Sequence, residues 1–360
     1  TLVNNGIINV YATESTALYN AFAGAVTLEN NGKIYISNKA TNSQALGGNF
    51  SEAVNRGLIE YKVGNSENAG IGGAVGEAGF APSVAMENAV VTVGDTVNTK
   101  QLFVNERAGE IIIGDVRQAG TDYGGTYVTA GVQVKNQGAA SNDGLIRLVK
   151  YDRDTPQVNA AMWLDDTTSN EAYINNRGDI IIDATASIGM RNASQNGAEA
   201  TNYGHILVNG DYAYGMSVVN ATRIFNGREK NVIGDSTSLL PRTITVNGDG
   251  AAGMYIKDGV GYNYGNINVT GRNATAVIID STNDKKEHFY NYGDITFSGN
   301  EGQNYYWLAN GSAKDFYYDD IVIDKYTLAK VTDGSEGSFA GSATIAGKNA
   351  HLFAAEDGTV

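Results

Sequence analysis

Cysteine is absent from the 360 residues, which excludes a disulfide framework and any thiolate metal site. The absence also suits a chain that crosses a membrane unfolded, where premature cross-links would block passage. Proline occurs only three times against 45 glycines, so corners are built from glycine and asparagine. Basic residues are the minority: 25 Lys and Arg against 39 Asp and Glu give a formal charge of −14. An acidic surface repels phosphate backbones and anionic headgroups, which sets nucleic acid and anionic lipid aside as partners. The longest basic run, Lys285-Lys286, is followed at once by Glu287. No segment approaches the ~20 apolar residues of a membrane-spanning helix, and helical periodicity of any length is missing. Thr1-Leu2-Val3-Asn4 enters a repeat directly, without a leader, so the chain is expected to be a piece of something longer.

What is present is that repeat. Its clearest copy is Asn202 to Met216, NYGHILVNGDYAYGM. An Asn-x-Gly step opens it and recurs with its Gly at 6, 32, 57, 144, 178, 204, 265 and 293. Spacings of 25 to 28 residues dominate; the 61 between Gly204 and Gly265 implies an insertion and a degraded copy near Thr243–Val246. After each step comes an alternating apolar pair, among them Ile34/Ile36, Ile111/Ile113, Ile180/Ile182, Ile267/Val269 and Ile295/Phe297. Alternation over so few residues marks a short strand with one buried face. A second strand follows at Gly189-Met190, Gly215-Met216, Gly253-Met254 and Ala276-Val277. Around Asn88–Gly109 the copies crowd together and no register can be assigned.

Units of this length, with short strands and Gly/Asn corners, predict an all-β, right-handed parallel β-helix. One continuous array spans residues 1–360, in roughly 13 coils of ~4.8 Å rise, a rod of about 60 Å. Insertions are expected near 62–86, 114–128, 149–160, 227–242 and 298–320, where loops leave the rod and present a binding face. The glycine of each step serves either a positive φ or a close backbone approach. The neighbouring Asn can hydrogen-bond its stacked equivalents.

Stacked Asn-x-Gly-x-Ile-x-Val units followed by Gly-Met, in a chain without cysteine, resemble the passenger regions of monomeric (type Va) autotransporters. The similarity is greatest to the large outer-membrane surface adhesins of fusobacteria and is most specific over Asn176–Phe297. It implies a β-helical stalk on the outer face of the bacterial surface, exported through a C-terminal outer-membrane barrel of the parent chain. It implies partners on host or bacterial cells, either glycan or protein.

Enzymatic β-helices work with paired carboxylates, and Asp165-Asp166 and Asp319-Asp320 are the adjacent pairs here. Neighbouring strand residues point to opposite faces, so such a dipeptide does not by itself supply both acid and base. No catalytic constellation emerges, and the expectation is a non-enzyme without cofactor. His205, His288 and His351 read as solvated side chains, and no metal site is expected. The strongest departure from a bland stalk is Asn304-Tyr305-Tyr306-Trp307-Leu308-Ala309-Asn310 with Phe316-Tyr317-Tyr318-Asp319-Asp320. Alignment of copies puts Tyr305 on the Met254 position, as a core residue. Tyr306, Trp307, Asn304, Asn310, Tyr317, Tyr318, Asp319 and Asp320 then become candidate ligand contacts, because aromatics stack on sugar faces while polar groups bind hydroxyls. Trp163 with Asp165 is a second candidate. Tyr203, Tyr264 and Tyr292 share one slot and should stack as a surface ladder. The function expected is an adhesin segment. The alternatives are a polysaccharide hydrolase or lyase, or a spacer without a site.

Overall fold

The computed structural model describes residues 1–12, 14–21, 25–37, 43–61, 88–93, 100–114, 128–149, 158–165, 168–219, 223–228, 241–281 and 288–356. These residues form 34 strands and no helix. In one coil the strands Glu199–Asn202, His205–Val208 and Tyr214–Val219 make three walls. Through coil 10 the strands of each wall pair in parallel with their equivalents in the neighbouring coils. The first and second walls each stack ten strands and the third stacks twelve, so there are twelve coils in the described residues rather than about 13. Such crossovers are right-handed, and the fold is a right-handed parallel β-helix. Ile206 stacks on Ile244, Ile244 on Ile267 and Ile267 on Ile295, as the repeat requires.

Two chemical devices set the coil spacing. The first is a polar ladder inside an apolar core. Asn4, Asn30, Asn55, Asn105, Asn142, Asn176, Asn202, Asn226, Asn263 and Asn291 stack so that each Nδ2 donates to the next Oδ1 at 2.7–2.9 Å. In most coils the second proton of the amide goes to a backbone carbonyl of the following coil, for example Asn142 to Asp179 at 3.2 Å. All but Asn291 are buried, so an unmade bond would be costly and the ladder locks register. The second device is the glycine two residues later. It has an ordinary negative φ, but a Cβ on Gly204 would collide with the carbonyl oxygen of Gly178. Of the two reasons the sequence leaves open, close approach is the one that applies.

Around the ladder, one column of fully buried Ile runs from Ile34 through Ile111, Ile180 and Ile206 to Ile267. On the third wall the pairing skips one residue per coil, at Gly131, Ala161, Gly189, Gly215, Gly253 and Ala276. These small residues face the Ile column: a Cβ on Gly215 would stand 2.7 Å from Cγ2 of Ile244. The third wall is buried on its outer face too. There Trp163, Ile188, Tyr214, Tyr255 and Ile278 form a second apolar cluster separate from the core.

Several irregularities now have causes. In the coil that holds Leu102–Asn105, the corner lengthens to Asn105-Glu106-Arg107-Ala108-Gly109, which hid the step between residues 88 and 109. Thr243–Val246 is not degraded but a full second-wall strand. Its coil opens with Asn226-Gly227, and Arg242 stands where the usual glycine would, at φ 47°. The insertions expected near 62–86, 114–128, 149–160 and 227–242 fall mostly outside the described residues. The one expected at 298–320 is not an insertion. Asn304–Ala309 is the tenth coil's third-wall strand, and Ala313–Ile323 begins the eleventh. In coils 11 and 12 the first two walls fuse into single long strands, Ala313–Ile323 and Glu336–Ile345, which pair only with each other.

Candidate functional site

The aromatic cluster near residue 306 is divided among three environments. Register pairs Val277 with Tyr306, so Tyr306 and not Tyr305 occupies the Met254 column. It is buried, with Phe289 at 6.1 Å and Phe316 at 5.2 Å between ring centroids. Tyr305 enters the small-residue column of the third wall and hydrogen-bonds Asn291, closing the polar ladder. Burial pushes its hydroxyl pKa up. Trp307 faces outward on the third wall, where its Nε1 donates to Thr332 Oγ1 at 2.9 Å and Lys330 Nζ lies 4.5 Å from the ring. Asn304 is buried and donates to the Gly302 carbonyl at 2.8 Å. Asn310 makes a turn at φ 56°.

Tyr317, Tyr318, Asp319 and Asp320 lie on a different wall. Tyr318 turns inward and stacks on Phe339, while Tyr317 is 74% exposed. A bulge between Tyr318 and Ile321 leaves both Asp319 and Asp320 exposed, against the alternation expected of a strand. Gly341 opposite allows it, at φ 126°, where any Cβ would collide with the carbonyl of Tyr318. The eight residues therefore do not converge.

Trp163 and Asp165 are buried as well. Arg191 lies over the Trp163 ring at 4.5 Å, and Gln133 Nε2 donates to Asp165 Oδ2 at 2.7 Å. Asp166 lies outside the described residues. Further along this outer layer Tyr214 and Tyr255 stack at 4.9 Å, and the Tyr255 hydroxyl donates to buried Asp280. Desolvation raises the pKa of both tyrosines and lowers that of Arg191 to about 10. His288 is not solvated but buried, its Nδ1 3.1 Å from the Gly259 carbonyl. His205 points outward, with Nε2 3.2 Å from Thr245 Oγ1. Among the described residues no group of three or more His, Asp or Glu could hold a metal.

Chemistry accessible to a ligand gathers on the corner between the first and second walls, where the middle residue of each Asn-x-Gly step points outward. Tyr264 and Tyr292 stack there at 4.9 Å, and Tyr292 is 63% exposed. Tyr203 is not in that stack, because the intervening coil places Gly227 in the slot. Beside the pair lie outward Asn266, Asn268, Asp294 and Thr296, with Thr296 Oγ1 donating to Asn268 at 2.8 Å. Lower on the same corner, Arg107, Glu110, Asp143, Arg177, Asp179 and Pro241 line an open groove of about 840 Å³. The tyrosine slot is legible in the sequence; nothing there singles out its polar neighbours.

Residues 1–229 match the family model of the BigA third pectate lyase-like domain. The chain belongs to that family. No curated protein and no solved structure matches it. Family membership agrees with the β-helix. The matched span ends before the tyrosine pair.

Proposed function

We propose that this chain is a receptor-binding stretch of an exported surface adhesin, of the passenger type that its repeats resemble. BigA is an autotransporter-like adhesin, which supports the class. The observation that carries the binding role is the corner patch: exposed Tyr292 stacked on Tyr264, beside Asn266, Asn268, Asp294 and Thr296. A sugar ring fits such a patch through its apolar face on the tyrosine and its hydroxyls on the amides and carboxylate. The interior, by contrast, is committed to packing around the amide ladder.

A glycan array probed with the purified chain tests this reading. Binding should fall about tenfold on Tyr292→Ala, the equivalent of ~1.4 kcal/mol, with the far-ultraviolet spectrum unchanged. A chain that binds nothing on the array or on cells is a spacer. The carbohydrate-active reading is favoured by one observation, the bulge that exposes Asp319 and Asp320 together. Reducing-sugar release that disappears on Asp319→Asn would establish it.

A further inference from the structure

Stacked tyrosine pairs recur in this fold because in-register parallel coils place like side chains one above another. Tyr214 lies on Tyr255 at 4.9 Å and 4°, but both are buried in the outer apolar layer. Tyr305 and Tyr306, at 4.6 Å, pack against the core. Tyr264 and Tyr292, at 4.9 Å and 13°, differ in facing solvent. Tyr292 is exposed and Tyr264 half-buried. The backbone holds the two rings in line: the Tyr292 N–H donates to the Asn263 carbonyl at 2.7 Å, beside the last rung of the amide ladder, Asn263 to Asn291. The other tyrosines of high exposure, Tyr11, Tyr19, Tyr173, Tyr212 and Tyr317, stack on no second ring among the described residues.

Phenol coupling requires adjacency and access together. We propose that Tyr264 and Tyr292 are an oxidative cross-linking site, joined as dityrosine by hydrogen peroxide acting through a haem peroxidase. Each phenol gives up one electron and its hydroxyl proton, leaving a tyrosyl radical. The two radicals join through the ring carbons ortho to oxygen. The hydrogen on each of those carbons then moves to the oxygen, which restores both phenols. One C–C bond forms, and the two electrons and two protons reduce one hydrogen peroxide to two waters. Coupling brings the rings edge to edge, a rotation open to outward side chains and closed to rings packed in an interior. Each radical meets its neighbour in the same chain before it meets another molecule.

The bond ties coil 9 to coil 10. Phe289–Asn291 and Asp294–Phe297 are the last strands of their ten-stranded sheets, so a covalent staple sits where those two ladders end. It also restricts the unfolded chain over residues 264–292.

The test treats the purified chain with a haem peroxidase and hydrogen peroxide, then reads dityrosine fluorescence and the tryptic peptides. Peptides 258–272 and 287–314 should appear linked, lighter by two hydrogens than their sum, with fragmentation placing the bond at Tyr264 and Tyr292. Yield per chain should hold across an about tenfold dilution, as an intramolecular reaction requires. Tyr292→Phe and Tyr264→Phe keep a ring in place but remove one phenol, and each should abolish this link. Tyr317→Phe, at an exposed tyrosine that stacks on no other, should leave the yield unchanged. Amide hydrogens of Asp294–Phe297 should exchange more slowly in the linked chain. Absence of dityrosine overturns the proposal, and so does a bond at any other pair. A product that joins two chains, or a yield that falls with Tyr317→Phe, overturns it too and makes exposure alone the cause. A link that leaves exchange in Asp294–Phe297 unchanged overturns the staple.

Discussion

Coils 1–10 and coils 11–12 use the same third wall but different interiors. In the first ten, an amide ladder runs beside columns of Ile, Val and Met, and each strand sits in register with the last. In the last two there is no Asn-x-Gly step, the ladder having stopped at Asn291, and Phe316, Tyr318 and Tyr326 fill the space with Tyr305 and Tyr306 of coil 10. There the lateral walls fuse, and their two strands pair with each other but not with the lateral walls of coil 10. The difference teaches that apolar stacking holds a coil together, whereas the directional amide bond fixes where the next coil begins. Aromatic rings pack over a range of distances and angles, from 4.3 Å and 21° for Phe297–Tyr326 to 6.1 Å and 42° for Phe297–Tyr305. An amide ladder admits almost none.

The largest effect should come from the ladder itself. Asn142→Ala strands the Nδ2 donor of Asn105 and the Oδ1 acceptor of Asn176 in a dry interior, at a cost of about 4 kcal/mol. Asn291→Ala, at the exposed end, should cost about 1 kcal/mol. Denaturant titration of both variants decides, and equal losses would break the distinction between the two regions.

Glycines give the next contrast. Gly204→Ala forces two coils apart and should cost about 3 kcal/mol. Gly311→Ala meets no atom within 4 Å and costs only the strain of φ 80°, about 1 kcal/mol. Hydrogen exchange should show the first opening its own coils and the second leaving them closed.

Trp307→Ala removes a hydrogen bond to Thr332 and a ring under Lys330, and should cost about 2 kcal/mol. Because that side chain bridges coils 10 and 11, the loss should appear as faster exchange in Thr327–Val331, with glycan binding unaffected.

The smallest effect concerns alkaline pH. Tyr214, Tyr255 and Tyr305 have pKa values raised by burial, with Asp280 adding to the rise at the first two. A pKa higher in the folded than in the unfolded chain contributes stability that is complete below pH 10 and is lost as pH rises toward the folded value. Arg191, lowered to about 10, opposes this weakly, because losing its proton relieves burial of a charge. Tyrosinate absorbance should show Tyr214, Tyr255 and Tyr305 titrating together with unfolding.

Much of the regular region was legible because each inward position is filled by one residue type. Asn, Gly, Ile and Met recur in order, and the coil follows. Legibility failed where a marker was missing. Tyr305-Tyr306 lacks the Gly-Met asymmetry that tells which residue faces the core, and the reading slipped by one. Ala313–Ile323 carries no corner residue at all, so a wall strand passed for a loop. Asn105 kept its role while three residues separated it from Gly109, and that hid the step. The outer layer over Trp163 and Tyr255 depends on contacts between distant coils that no local pattern encodes. Candidate ligand residues fared worst, since aromatic composition does not distinguish a filled lumen from an open surface.

The ladder bonds have nearly one length although the chain between successive amides varies from 24 residues, Asn202 to Asn226, to 50, Asn55 to Asn105. The joint is thus blind to whatever is spliced between one amide and the next. A rod assembled this way can lengthen, shorten or change its decorations by whole turns, and each newcomer needs only to present an amide at the socket left by its predecessor.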